Sequence, residues 1–437
     1  MNAATPGHAA RRARLAGAMQ AGAVAVIPTA PEVARNADSD YPYRHDSYFY
    51  YLTGFDEPEA LLVLAHGKSI LFCRPRDPER EIWDGLRHGP DGARAAFGFD
   101  EAYPLSELDT RMPDLLADAT ALYYASGQDA RTDAQLARWT ASVRERARSG
   151  VAAPETVHNV RVLLDEMRLI KDGAEQDTMR RAAQISSRAH ERAMRATRPG
   201  MHEYEIEAEL LYEFRRSGAQ YPAYTPIVAS GPNACILHYN QNRRLVGDGE
   251  LVLIDAGCEL DGYASDITRT YPASGRFSAP QKALYELVLA AQAAAIGEAR
   301  PGRPYSAMHD AALRVLAQGM VDLKMVPHAS AEDVIANRAH LQFYMHGTGH
   351  GLGMDVHDTG AYRDMQAEGR PSRLLVPGMT LTVEPGIYVR PAQGVPEEFW
   401  NIGIRIEDDV LVTPGGCEVL SDAPKQPADI EHLMQQR

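Results

Sequence analysis

ELVLIDAGCELDGYASDITRTYP, residues 250–272, holds two β-like runs joined at Asp261-Gly262. Asp-Gly is a strong hairpin dipeptide, because a two-residue type I′ turn needs positive φ at both central positions. With such a turn, position 260 faces 263, 257 faces 266 and 255 faces 268. Asp255 and Asp266 then become diagonal neighbours on one sheet face, about 7 Å apart and able to converge on one ion. A plainer reading stays open, in which Asp255 ends a strand and Asp266 begins a turn. Against it, Asp255 follows LVLI in a run that reads as buried on both faces, where an unpaired carboxylate is costly.

Two later runs repeat the pattern. In NIGIRIEDD, residues 401–409, Ile402, Ile404 and Ile406 face one side while Gly403, Arg405 and Glu407 face the other. In TLTVEPGIYV, residues 380–389, Thr380, Thr382 and Glu384 share a face opposite Leu381 and Val383, and Pro385-Gly386 interrupts the strand. Taken singly, each reads as a surface strand. Together they give four strand carboxylates, Asp255, Asp266, Glu384 and Glu407, beside MHGTGHGLGMDVHD at residues 345–358. Four such charges on one site repel unless about two divalent ions lie between them. Oxygen-rich ligation with one imidazole favours a hard ion such as Mn²⁺.

Rival chemistries lack their residues. The glycine-rich loop fails GxGxxG because Leu352 and Met354 occupy the last glycine's places, and Gly67-Lys68-Ser69 lacks the upstream glycine of a phosphate loop. Met194 replaces the second histidine of a zincin motif begun at His190-Glu191, and Val228 breaks GxSxG at Ser230. The glycines of residues 347–353 are therefore expected to let backbone run close to a metal and a substrate.

The 437 residues favour two domains. Strand-like AVAVI, ALLVLA, SILFC and TALYYA alternate with polar or helical stretches up to about residue 125, as in an α/β domain. A long amphipathic helix begins near residue 172, and two helix-pair-then-strand units follow, suggesting an internal duplication. The formal charge of −14, from 45 Lys+Arg and 59 Asp+Glu, argues against nucleic-acid or anionic-membrane partners. The four cysteines form no CxxC pair, so a reducing cytoplasm is expected. Arg11-Arg12 superficially resembles a twin-arginine signal, but the segment reads equally as a short helix running into a strand. No apolar run reaches the roughly 18 residues of a membrane span.

HYNQN, IDAGCELDGYASDITRT, HGTGHGLGMDVHD, TVEPGIYV and NIGIRIEDD, in this order and spacing, resemble the metal-dependent aminopeptidase P and prolidase family of the pita-bread fold. DSDYPYRHDSYFYYLTGFDEPEALLVL resembles the aminopeptidase P accessory domain. The resemblance implies an α/β N-terminal domain over 1–172 and an α+β pita-bread catalytic domain over 173–437, with internal pseudo-twofold duplication. It implies that Asp255, Asp266, His350, Glu384 and Glu407 bind two divalent ions, with Asp266 and Glu407 bridging. It assigns His238, His346 and His357 to the substrate, with His357 near the scissile carbonyl, and Arg405 to the surroundings of the ligands. For His238, which follows apolar CIL, a packed side chain is the alternative. For His357, the flanking acids of DVHD are expected to hold the tautomer. The implied reaction is hydrolysis of the N-terminal Xaa-Pro bond of peptides with proline second, through a hydroxide bridging the ions, with Glu384 as proton shuttle. An Xaa-Pro dipeptidase is the alternative, and a binding-only pita-bread protein a further one. A homo-oligomer, dimer or tetramer, is implied by resemblance. Trp83 and Tyr48-Phe49-Tyr50-Tyr51 are expected in a core rather than at a neighbouring subunit's site.

Overall fold

The computed structural model describes residues 6–327 and 329–436, so the outer limits of the expected domains, residues 1 and 437, lie outside the described residues. The chain divides into two compact units, Met1–Met167 and Arg168–Arg437.

In the first unit, strands β1 (Val24–Pro28), β2 (Leu61–Ala65), β3 (Lys68–Cys73), β4 (Glu101–Pro104), β5 (Leu122–Tyr123) and β6 (Val157–His158) form one sheet in the order β4-β3-β2-β1-β5-β6. The β2–β3 hairpin turns at His66-Gly67, both at positive φ. LLVLA of β2 is buried throughout, as expected of a strand covered on both faces. Helices α1 (Leu108–Leu116) and α2 (Ala130–Glu145) cover one face, where Met112, Leu116, Leu136, Trp139 and Val143 pack with Val24, Val26 and Val63. The buried Trp139 indole satisfies its N–H on Asp109 at 2.7 Å.

The second unit repeats one plan. Helices α3 (Gly173–Ala196) and α4 (Glu203–Arg216) precede β7 (Ile227–Ser230), β8 (Leu251–Asp255) and β9 (Thr268–Pro272), which form a sheet in the order β7-β8-β9. Helices α5 (Ala279–Glu298) and α6 (Ser306–Asp322) precede β10 (Thr380–Val383), β11 (Gly386–Val389), β12 (Ile402–Arg405), β13 (Asp408–Thr413) and β14 (Gly416–Val419). β10, β13 and β14 form one sheet, and β11 pairs with β12. Capping boxes start α3 at Asp172 with Glu175 and α5 at Ser278 with Gln281. Gly319 lets α6 approach α5, since a Cβ there would sit 2.2 Å from Leu287.

The hairpin register is the one counted from its turn. Leu260 faces Tyr263, Asp255 faces Thr268, and Asp261 and Gly262 carry φ of 50° and 79°. The ladder also bends, which counting did not reveal. Cys258–Leu260 and Tyr263–Ala264 leave the β7-β8-β9 sheet and pair with each other, and Cys258–Leu260 pairs on its other side with Tyr221–Pro222. At the crease Gly257 passes so close to the opposite chain that a Cβ would lie 1.7 Å from the Ser265 carbonyl oxygen. Asp255 and Asp266 flank this crease.

Candidate metal centre

All five expected ligands line one cavity of about 250 Å³ in the second unit, with His238, His346, His357 and Arg405. β8 ends on Asp255, Asp266 stands just before β9, Glu384 follows β10, and Glu407 lies between β12 and β13. His350 enters from the glycine-rich loop. That loop is tied to β10: Thr382 N–H donates to the His350 carbonyl at 2.9 Å, and His350 N–H donates to Thr382 Oγ1 at 3.0 Å. Gly349 permits the approach, since a Cβ there would lie 2.0 Å from the Thr382 carbonyl oxygen. Close backbone passage thus serves the strand that carries Glu384.

His350 is oriented for ligation. Its Nδ1–H donates to the Gly351 carbonyl at 2.9 Å, which points Nε2 at Asp266, 3.4 Å away, and at Glu384, 3.6 Å away. Asp266, His350 and Glu407 offer ligand atoms within 4.8 Å of one another. The electrostatics describe a cluster short of positive charge. Burial, then Asp266, Glu384 and Asp255, push the Glu407 carboxyl far above its ordinary range. Burial also raises Glu384 to about 7 and raises Asp255 against the pull of Arg405. Burial opposes protonation of His350, but Asp266 and Glu384 outweigh it and take the imidazole to about 9. Four carboxylates face one guanidinium and one imidazole, a charge balance and an oxygen-rich donor set that suit divalent cations.

Arg405 is committed to this cluster. It donates to Asp255 at 2.6 Å, to the Tyr388 hydroxyl at 2.9 Å and to Thr268 Oγ1 at 3.1 Å. Arg405 and Glu407 are 4% and 2% exposed, so the strand is not a surface strand. His346 accepts at Nε2 from Tyr388, 2.8 Å away, and donates from Nδ1 to the Gly347 carbonyl at 2.7 Å. Burial and then Arg405 hold it neutral, down at about 3. His238 and His357 are exposed at the cavity, which sets aside a packed role for His238.

Two expectations are corrected here. The acids flanking His357 do not hold its ring. Asp358 is buried against Arg168 and Lys171 at 2.7 and 2.8 Å, and Asp355 takes Arg168 at 2.8 Å. The His357 ring instead meets that of His350, with centroids 4.2 Å apart. In the first unit, Phe49 and Tyr51 are buried as expected, but Tyr48 and Tyr50 are only half-buried and Trp83 is 81% exposed, because its short helix, Pro78–Asp84, buries none of its residues.

Tyr224 escaped the sequence reading. Its hydroxyl contacts both Asp255 and Asp266. An isolated tyrosine in a turn-rich stretch gives no signal of such a role. Thr268, which donates to Glu407 at 2.6 Å, was counted only as a register partner. Tyr388 lies within GIYV, where nothing local marks its hydroxyl for Arg405 and His346.

Comparisons with known proteins agree with this geometry. Residues 8–123 match the aminopeptidase P N-terminal domain. An Xaa-Pro aminopeptidase of Escherichia coli strain K12 is 45% identical over 430 residues, 97% of this chain and 96% of that one. The Pseudomonas aeruginosa aminopeptidase PepP structure superposes with a TM-score of 0.96 at 49% identity, covering 99% of both chains. A zinc-substituted E. coli aminopeptidase P in complex with product superposes equally at 44% identity, covering 100% of this chain and 99% of that one. With residues 177–414 matching that family and the expected ligand residues gathered in one cavity, the chain belongs to metallopeptidase family M24.

Proposed function

We infer that the protein is an aminopeptidase that hydrolyses the N-terminal Xaa-Pro bond of peptides. The observation that carries this is the gathering of four carboxylates and one tautomer-fixed histidine around one cavity with a single guanidinium among them. Near-full-length likeness to Xaa-Pro aminopeptidases supports the substrate class. We assign residues 1–172 to the aminopeptidase P-type N-terminal domain and 173–437 to the catalytic domain.

Asp255, Asp266, His350, Glu384 and Glu407 would hold two divalent ions, Mn²⁺ first. When bound, such ions supply Lewis acidity, lowering the pKa of water and polarising a carbonyl. Glu384 takes a proton from the attacking water and returns it to the proline nitrogen, which must gain one to leave as an amine. His357 donates to the oxygen on which negative charge develops. His238 meets the substrate backbone, and His346 joins it by exchanging its bond with Tyr388. Proline suits the site because the Xaa-Pro bond has no N–H that needs an acceptor.

The cavity's charge favours an aminopeptidase over a dipeptidase. A dipeptidase gains from a cation that pairs with the free carboxylate of its proline. Arg405 is already committed to Asp255. Ala-Pro-Ala should exceed Ala-Pro in kcat/KM by at least about tenfold with Mn²⁺ at one pH, or about 1.4 kcal/mol. Cleavage of Ala-Pro with Ala-Pro-Ala inert would replace this reading by a dipeptidase.

Four unpaired cysteines fit a reducing cytoplasm, and no described helix is long and apolar enough to cross a membrane. A homo-oligomer, dimer or tetramer, follows from the family resemblance, and light scattering on eluted protein tests it.

A further inference from the structure

A second cavity of about 370 Å³ shares His346, Gly347 and Gly349 with the metal cavity. Its other walls are mainly apolar and aromatic, with Tyr305, Met308, Leu341, Tyr344 and Met345. Leu341 and Met345 are 37% and 36% exposed, unlike the fully covered apolar side chains of the core.

Gly347 stands where the two cavities meet. Its φ lies outside the left-handed region, so the backbone does not demand glycine. Packing does not demand it either: a Cβ there would meet nothing closer than the Gly349 carbonyl oxygen at 4.0 Å. Gly349 two residues on is the opposite case, with a strand carbonyl 2.0 Å from its would-be Cβ. What glycine leaves at 347 is open space between the cavities.

We propose that this gap passes the substrate chain, and that the second cavity receives an apolar side chain from the residue that follows proline. The proposal rests on the aminopeptidase reading. In that reaction a single residue precedes the cleaved bond, and its side chain branches one atom from the reacting carbonyl, within the metal cavity. The chain beyond proline advances by about 3.3–3.6 Å per residue, so the side chain after proline is the one the backbone itself carries out of the metal cavity. Thioether, leucine and tyrosine walls select an aliphatic or aromatic side chain there and disfavour a charged one.

The test compares Ala-Pro-Leu, Ala-Pro-Gly and Ala-Pro-Lys on the Mn²⁺-loaded full-length enzyme. Wild type should favour leucine over glycine by about 10- to 200-fold in kcat/KM, the range for an apolar group in an apolar pocket. Gly347→Val, whose side chain enters open space, should bring that ratio to within about twofold. Leu341→Glu, at a partly exposed position, should raise Ala-Pro-Lys relative to Ala-Pro-Leu by about tenfold, and it carries the test should Gly347→Val misfold. Calorimetry with the products Pro-Leu and Pro-Gly should show the same ordering and the same response to both variants. An indifferent wild type, ratios unmoved in both variants, or discrimination that follows only the first residue of an Xaa-Pro-Gly series would overturn the proposal. A metal-loaded wild type that cleaves none of these peptides would overturn the aminopeptidase reading and this proposal together.

Discussion

Glu407 and Asp408 are chain neighbours and equally buried, 2% and 0% exposed, yet their environments are opposite. Asp408 accepts from Arg269 and Ser421 at 2.7 Å each and from Gln292 at 3.0 Å, and it pairs with Lys425. Burial pushes its carboxyl up, but Arg269 and Lys425 outweigh burial and hold it down at about 2. Among the described residues, Glu407 has only Thr268 as a side-chain donor, and three other acids lie around it. Asp358 belongs with Asp408, since Arg168 and Lys171 surround it. A buried carboxylate compensated by the protein's own cations holds the fold together. A cluster that the protein compensates only in part has the charge balance of a divalent-cation site.

The largest test of this contrast removes a ligand. Glu407→Ala and Asp266→Asn should each lower kcat/KM on Ala-Pro-Ala by more than about 10³-fold, beyond the 10- to 100-fold expected of residues that only support ligands. Elemental analysis should show metal lost in both, and full occupancy in Asp266→Asn would strike it from the ligand set. Next comes the compensated acid. Asp358→Asn removes the charge that Lys171 faces, while Arg168 keeps Asp355, and should cost about 3 kcal/mol in urea unfolding, with metal content unchanged.

The two kinds of acid also predict opposite pH slopes. Asp358 has a depressed folded pKa, so its stabilisation is present above the ordinary carboxylate range and is lost as pH falls through the depressed value. Glu407, Asp255 and Glu384 have raised folded pKa values. The native state then holds protons that the unfolded chain has released, so metal-free protein should lose stability as pH rises from about 4 toward 7. Metal loading should remove that loss. A metal-free protein whose urea midpoint is flat across this window would break the comparison.

Two smaller effects sharpen it. His357→Ala should keep its metal and lose about 10²- to 10³-fold in rate, the scale of an oxyanion donor; an emptied site would instead make His357 a ligand. Tyr224→Phe removes the hydroxyl shared by Asp255 and Asp266 and should weaken metal affinity by about 10- to 100-fold while leaving the fold intact. Competition with a chromogenic chelator measures this, and unchanged affinity would reduce Tyr224 to a packing role.

The site residues differ in how they can be found from sequence. Asp255 ends a strand, and Asp266, Glu384 and Glu407 stand one or two residues from strands whose period-two pattern marks a polar side chain among apolar neighbours, so a linear reading reaches them. The Asp261-Gly262 turn sets the pairing of the first two because its dihedrals admit few residues. Tyr224, Thr268 and Tyr388 carry no such mark. Each acts through a hydroxyl whose partners lie 31, 139 and 17 residues away in the chain, on Asp255, Glu407 and Arg405. His357 shows the converse failure, where adjacent acids suggested local partners and Arg168 and Lys171 took them instead.

The sequence by itself determined the strands, the hairpin register and the identity of the acids, because these depend on alternation and on turn dihedrals within a few residues. Only the tertiary structure decided which acids would be neutralised. Asp408 meets Arg269 and Lys425, Asp358 meets Arg168 and Lys171, and Glu407 meets three more carboxylates. Coulomb energy depends on distances between side chains that are remote along the chain, so no local pattern encodes which buried charge finds its partner.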